Sequence, residues 1–268
     1  MAIPSTQTAA AIPPPGPTGS LNIQISKTHP IPKPTDGEVL VKLEFSGVCH
    51  SDVHSIRGDT PMLTDVAGHE GVGKVVADGY TALAWSARSV LSTIPHVPIK
   101  RMLERGVQIA AKKGLKVLAI DKGEKKRKLC LELGATEFLD FTEIDIVEAV
   151  KASTSGFGAH AVICTANGEK AYEQSMQMLR RLGTLVCVGI PNVPFKLPVT
   201  PLDMIVQGLT IVGNSAGSAT EMDELMEMAV AGDIKACIEV FDLADILDVL
   251  KRLENSEIEG RVVLKIPE

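Results

Sequence analysis

From about residue 102 onward the chain repeats a short apolar run, a turn and a helical pattern. Met102, Leu103, Val107 and Ala110 recur at helical spacing, and Lys116–Ile120 is a compact apolar run that ends in Asp121. Glu124–Leu133 is helical and is followed by Gly134, a C-terminal stop signal. Asp145–Ala152, Glu169–Leu179, Met204–Gln207, Thr220–Ala231 and Leu243–Leu253 continue as helices. Between them Ala161–Cys164, Leu185–Val188, Leu209–Val212, Ile238–Phe241 and Arg261–Ile266 read as strands. Strands that alternate with helices need crossover connections, so this part is an α/β unit with a parallel sheet covered on both faces. Aromatic residues make up only 3% of the chain, so Val, Ile, Leu, Ala and Met must fill its core.

The first 76 residues follow a different pattern. Val39, Val41, Leu43 and Phe45 alternate within Gly37–Phe45, and Gly71–Val76 is a second short strand, with glycine-rich turns around them. This is a β-rich start. Half of the sixteen prolines fall in Met1–Pro34, and residues 1–18 are expected to be a flexible extension. The N-terminus lacks a basic region followed by an apolar one, so it does not read as a signal peptide. No apolar run reaches the roughly 18–20 residues of a membrane span. Five widely spaced cysteines suggest no disulfide framework, and a reducing, cytoplasmic setting is expected. A net charge of −6 without a long basic run argues against nucleic acid as a partner.

Two loops carry residues with chemistry. Gly47-Val48-Cys49-His50-Ser51-Asp52 directly follows a strand, and Gly68-His69-Glu70-Gly71-Val72-Gly73 directly precedes one. Cys49, His69 and Glu70 are all competent zinc ligands, and two such loops some twenty residues apart can meet at one ion. Residue types alone leave a second reading open, in which Cys49 is a small buried hydrophobe and the histidines lie in surface turns.

In sequence, GVCHSDVHSIRGDTP followed by DVAGHEGVGKVV resembles the zinc-dependent medium-chain alcohol dehydrogenases, the fungal type in particular. The resemblance continues through Gly106–Asp121, Leu182–Pro191 and Gly260–Lys265. It covers about residues 20–76 and 106–268. It implies a partial GroES-like domain at 19–76, to which residues 215–268 return. It further implies a divergent linker at 77–105 and an incomplete Rossmann-type doubly wound sheet at 106–214. By the same resemblance Cys49, His69 and Glu70 would be metal ligands for Zn2+, and Ser51 would pass the alcohol proton outward. His54 would stand in along the proton route, because the usual relay position holds Arg57, a poor proton carrier. The cofactor would be NAD: His50 would face its pyrophosphate, Val188 would lie by the nicotinamide, and Asp121 with Lys126 would hold the adenosine ribose. An Asp at the end of that strand could equally be a turn or cap residue, and Lys126 lies in a charged helix face. The substrate would be a small alcohol or carbonyl compound. A homo-oligomer formed near the Leu209–Val212 strand is also implied.

Several expected parts of such an enzyme are missing from the sequence. No G-x-G-x-x-G opens a helix: Gly71-Val-Gly73 precedes a strand, and Gly156-Phe-Gly158 fits a turn. Four clustered cysteines for a structural zinc are absent, as is a third catalytic Cys. Ser86–Ile94 is a candidate for the missing first strand of the parallel sheet. Three readings remain open: an active zinc- and NAD-dependent dehydrogenase, a non-catalytic relative, and a zinc-independent enone or quinone reductase. The retained Cys49, His69 and Glu70 speak against the last, and the absent phosphate loop favours the second.

Overall fold

The computed structural model describes residues 3–14, 16–35, 38–60, 64–78, 89–91, 103–191, 195–214, 217–255, 257–258 and 260–267. In chain order the elements begin with β1 (Thr6–Ala11), β2 (Gln24–Pro30), β3 (Val39–Val48), α1 (His50–Arg57), β4 (Glu70–Asp78) and β5 (Ser89–Leu91). Next come α2 (Leu103–Lys112), β6 (Leu118–Asp121), α3 (Glu124–Glu132), β7 (Glu137–Asp140), α4 (Ile146–Ser153) and β8 (Ala159–Cys164). Then follow α5 (Glu169–Met178), β9 (Leu179–Cys187), α6 (Pro201–Gln207), β10 (Thr210–Gly213) and α7 (Ala219–Val230). The chain closes with β11 (Ile238–Asp242), a single 3-10 turn, α8 (Ile246–Glu254) and β12 (Arg261–Lys265). Met102, at the start of the expected second-unit pattern, lies outside the described residues, as does most of the 77–105 linker.

The chain divides into two compact units, Met1–Pro98 with Cys237–Glu268, and Ile99–Ala236. The return to the first unit therefore begins at Cys237 rather than at residue 215. Helix α7 stays with the second unit, and none of its described side chains is fully buried.

The first unit is built on a five-stranded sheet in the order β11-β12-β3-β4-β5. Strands β3, β4 and β5 pair antiparallel, β12 runs antiparallel to β3, and β11 runs parallel to β12. Helix α8 places Ile246, Val249, Leu250 and Leu253 at i, i+3, i+4 and i+7, and all four are buried. They pack in one core with Val53 and Ile56 of α1 and with Val262 and Leu264 of β12. The stretch expected to be a flexible extension belongs to this core. Residues 6–11 form β1, paired antiparallel with β2, and Ala10 and Ile12 are buried against Ile23. The reason is size and apolarity: a run of alanines closed by an isoleucine fits beneath the helices, and Ala67 N–H and Ile12 N–H anchor it by bonding across to Ala10 and Asp65 carbonyls. The described part of Ser86–Ile94 joins the sheet of the first unit rather than the parallel sheet. Its described residues, Ser89–Leu91, pair antiparallel with Lys74–Val72 of β4.

The second unit has two sheets of parallel strands, β6-β7 and β10-β9-β8. Leu118 and Ile120 of β6, Leu139 of β7 and Val162 of β8 pack into one core with Ile146, Val147 and Val150 of α4. A doubly wound sheet runs 3-2-1-4-5-6. Strands β7 and β6 correspond to positions 3 and 2, and β8, β9 and β10 to positions 4, 5 and 6. Among the described residues no strand pairs with the facing edges of β6 and β8, where position 1 belongs. The described residues thus leave the central position of the sheet unfilled. Helix α4 starts where the Asp145 carboxylate accepts the Val147 and Glu148 N–H groups. Beyond α3, Gly134 takes φ +103°, the left-handed conformation that glycine adopts without strain. Strand β7 ends in Asp140, whose carboxylate accepts the Gly123 N–H at 2.7 Å, the Thr142 N–H at 2.9 Å and the Thr142 hydroxyl at 2.6 Å.

Two outcomes follow from this packing. Ile12→Ala should lower the unfolding free energy by about 2–5 kcal/mol, as for a buried isoleucine elsewhere, when read by denaturant titration. A surface extension would leave it unchanged. The donors around Asp140, the Thr142 hydroxyl first, lower its pKa below the usual carboxylate value. Its stabilising contribution is therefore present at neutral pH and is lost as pH falls through the lowered pKa. Asp140→Asn should lower the melting temperature at pH 7 and narrow its difference from the unaltered protein below about pH 3, under the carboxylate range.

Candidate active site

Strand β3 leads directly into the first of the two loops. Cys49 is still extended, with φ −126° and ψ 155°, and α1 begins at the next residue. Asp52 sits three residues beyond Cys49, in the first turn of α1. One of its carboxylate oxygens accepts the Cys49 N–H at 2.9 Å, and the other lies 2.7 Å from His69 Nδ1. A single buried carboxylate therefore fixes the backbone of one candidate ligand and the ring of another. With Nδ1 engaged this way, Nε2 is the nitrogen left to bind a metal.

Glu70 opens β4 directly across from Gly47 of β3. A Cβ on Gly47 would stand 2.2 Å from Glu70 Oε2, so only glycine leaves room for that carboxylate. On the other side of β3, β12 begins at Arg261, whose guanidinium is paired with Glu70 Oε2. Burial opposes the charge on Arg261, but Glu70 and Cys49 beside it raise its pKa. The other carboxylate oxygen, Oε1, is buried without a hydrogen-bond partner, and so is His69 Nε2, 3.8 Å away. Donor atoms of Cys49, His69 and Glu70 all lie within 4.8 Å of one another. Buried polar atoms are normally satisfied, and leaving two of them unpaired carries a desolvation penalty. A sulfur, an imidazole nitrogen and a carboxylate oxygen converging on one point form a donor set suited to zinc. Without a metal, burial works against charge on His69, yet the Asp52 carboxylate and Cys49 outweigh it and raise its pKa to about 10. A metal ion held at Nε2 would take the place of that proton.

The other expected residues fall as follows. Ser51 Oγ lies 3.6 Å from Cys49 Sγ. His50 is the first residue of α1, and its ring stands edge-on to that of His54 with centroids 5.4 Å apart. His54 Nδ1 is 3.1 Å from Asp59 Oδ2, while its Nε2 is buried without a partner. Arg57 pairs with Glu254 of α8, so it ties the end of α1 to the core. In the second unit the structure brings Asp121 and Lys126 together: the carboxylate accepts Lys126 Nζ at 2.7 Å and the Lys122 N–H at 2.8 Å. Val188 follows β9, and its N–H bonds the Cys164 carbonyl at 3.0 Å.

Asp52, Gly47 and Arg261 escaped the sequence reading. Asp52 carried a signal, since it stands at the third helical position after Cys49, where a carboxylate caps the preceding backbone. Arg261 carried none, because 191 residues separate it from Glu70.

Two family models match the chain. The alcohol dehydrogenase GroES-like domain covers residues 35–89, and the zinc-binding dehydrogenase domain covers residues 105–231. The chain is 30% identical to alcohol dehydrogenase 1 of Neurospora crassa, over 90% of this chain and 93% of that one. The chain belongs to the zinc-type medium-chain alcohol dehydrogenase family. It is equally similar, at 30% identity and 95% coverage of the relative, to alcohol dehydrogenase 1 of Emericella nidulans. The solved alcohol dehydrogenase of Aeropyrum pernix shares its fold, with TM-score 0.79 and 22% identity over 97% of this chain and 100% of that one. The alignment with the N. crassa relative spans 329 positions, more than the 268 residues present here, so that relative has internal residues with no counterpart in this chain. Residues 90–104 fall between the two family matches. No helix among the described residues is long and apolar enough to cross a membrane.

Asp52→Asn keeps the shape of the side chain but removes the charge that holds the His69 ring. Zinc affinity, measured by competition with a chromogenic chelator, should fall about 10–100-fold, the usual cost of losing such a supporting group. Gly47→Ala should weaken zinc binding as well by pushing the Glu70 carboxylate aside, whereas Gly168→Ala, which meets no neighbouring atom and needs no left-handed backbone, should not.

Proposed function

We propose that this alcohol-dehydrogenase-type oxidoreductase interconverts a small alcohol with its aldehyde or ketone, with zinc in the first unit and NAD as the hydride partner. The observation that carries the reading is the convergence of Cys49 Sγ, His69 Nε2 and Glu70 Oε1, two of them buried polar atoms that no other group satisfies. A bound zinc ion would supply Lewis acidity toward the oxygen of the substrate. The chain's own groups do the rest. Asp52 orients His69, Arg261 holds one oxygen of Glu70 and leaves the other to the metal, and Ser51, beside Cys49, is the hydroxyl placed to take the substrate proton. His54, hydrogen-bonded to the exposed Asp59, is the group that would carry that proton to solvent.

The donor set for NAD fits at one end only. Asp121 offers a carboxylate at the end of β6, where ribose hydroxyls are bound in doubly wound folds, and Lys126 is paired with it. At the pyrophosphate end the sequence supplies no glycine-rich turn opening a helix, and the central strand position of the sheet has no described occupant. No step is therefore derived through the dinucleotide. That gap also supports a second reading, a family member that holds zinc without turnover. The oligomer suggested by the family has its natural edge at β10, the outermost strand of its sheet.

Purified protein should contain about one zinc per chain, as one catalytic site requires. It should reduce NAD with short primary or secondary alcohols, and Cys49→Ala should abolish both properties. If the isolated chain holds zinc yet neither quenches nor shifts NADH fluorescence, the non-catalytic reading stands in place of the enzymatic one. Asp121→Ala should raise the KM for NAD more than that for NADP, because it removes the acceptor for the ribose hydroxyls.

A further inference from the structure

Cys164 ends β8 and Cys187 ends β9. The two strands are parallel, and these residues face each other directly in the register. Neighbouring strands lie about 4.8 Å apart, and directly opposed residues present their side chains on the same face. Disulfides form between Cα atoms about 4.4–6.8 Å apart, so this spacing needs no backbone movement. Both thiols are free, and they pack in one cluster with Tyr172 and Leu185. Cys164 is buried and Cys187 is half-buried, so a small oxidant reaches Cys187 first. The zinc-site reading uses neither sulfur.

We propose that Cys164 and Cys187 form a reversible dithiol–disulfide pair that a peroxide closes. In the first step the Cys187 sulfur attacks hydrogen peroxide. The O–O bond breaks, an S–O bond forms, and the thiol proton leaves with the departing hydroxide as water. In the second step the Cys164 sulfur attacks Cys187. The S–S bond forms, the S–O bond breaks, and hydroxide takes the Cys164 proton as a second water. The two sulfurs together lose two electrons, and the peroxide gains them. Burial raises the pKa of Cys164, and burial together with the neighbouring Cys164 raises that of Cys187. Closure is therefore slow at neutral pH and faster in alkali, where more thiolate is present.

Closure would be felt in the turn that follows. The Cys164 carbonyl accepts the N–H groups of both Val188, at 3.0 Å, and Gly189, at 2.9 Å. Tyr172, packed in the same cluster, donates its hydroxyl to the Gly189 carbonyl. There is no slack around Gly189, since a Cβ on it would stand 2.0 Å from the Ala166 carbonyl oxygen. Drawing the two sulfurs together thus pulls on the residues 188–189 that leave β9.

The test is peroxide titration of the full-length protein, followed by non-reducing peptide mapping. Two of the five thiols should disappear together, with a Cys164–Cys187 peptide that is lighter by about 2 Da, the two lost hydrogens, and that dithiothreitol restores. Cys187→Ser should retain all remaining thiols at the same dose. Because Cys164→Ser places a hydroxyl in a buried site, Cys164→Ala serves as the second variant, and its Cys187 should stop at the sulfenic or sulfinic acid. The proposal is overturned if the unaltered protein gives sulfinic acid at Cys187 without the linked peptide, or if either cysteine pairs only between chains. Zinc content and alcohol turnover are read in parallel. Loss of the zinc-site reading leaves the thiol result intact, and the reverse also holds.

Discussion

Three adjacent strands, β12, β3 and β4, bring together the parts of the candidate centre. Glu70 lies across from Gly47, and Arg261 starts the strand on the other side of β3, so the sheet register alone sets a carboxylate between a glycine and a guanidinium. One-residue slippage would send every side chain to the opposite face. The core beneath the sheet, with Val249 and Leu250 of α8 fully buried, opposes such slippage. The Asp52 carboxylate then links this sheet to α1 by holding the backbone at Cys49 and the ring of His69 together. Chemistry and stability therefore depend on the same few contacts.

The second unit obeys a different constraint. Parallel strands are stable when both faces are covered and both edges are paired. Helix α4 and the strands β6, β7 and β8 share one core, so this unit condenses around aliphatic side chains even though the sheet is divided. Among the described residues the gap between β6 and β8 falls where the phosphate-binding turn of a doubly wound fold would arise. On either flank, Asp121 and Lys126 are paired at the end of β6, and Val188 follows the end of β9.

The helix and strand rhythm of the second unit was readable because hydrophobic periodicity is local, and so was the helix stop at Gly134. The two loops that carry the candidate ligands were readable for the same reason, as each is a contiguous run of chemically distinctive residues. Strand β1 was misread because prolines on both sides mask it, and alanine favours helix over strand until a core forms over it. The strand expected from Ser86–Ile94 went to the wrong sheet, since a short apolar run does not specify its partner.

By itself, then, the sequence determined the family, the candidate ligands Cys49, His69 and Glu70, and the absence of a glycine-rich phosphate turn. These are properties of residue identity at short range. The tertiary structure decided that Glu70 divides its two oxygens between Arg261 and an open donor position. It decided that Asp52 supports two candidate ligands at once, and that Cys164 faces Cys187. Each of these depends on strand register between segments far apart in the chain, and register is fixed only when the buried faces pack.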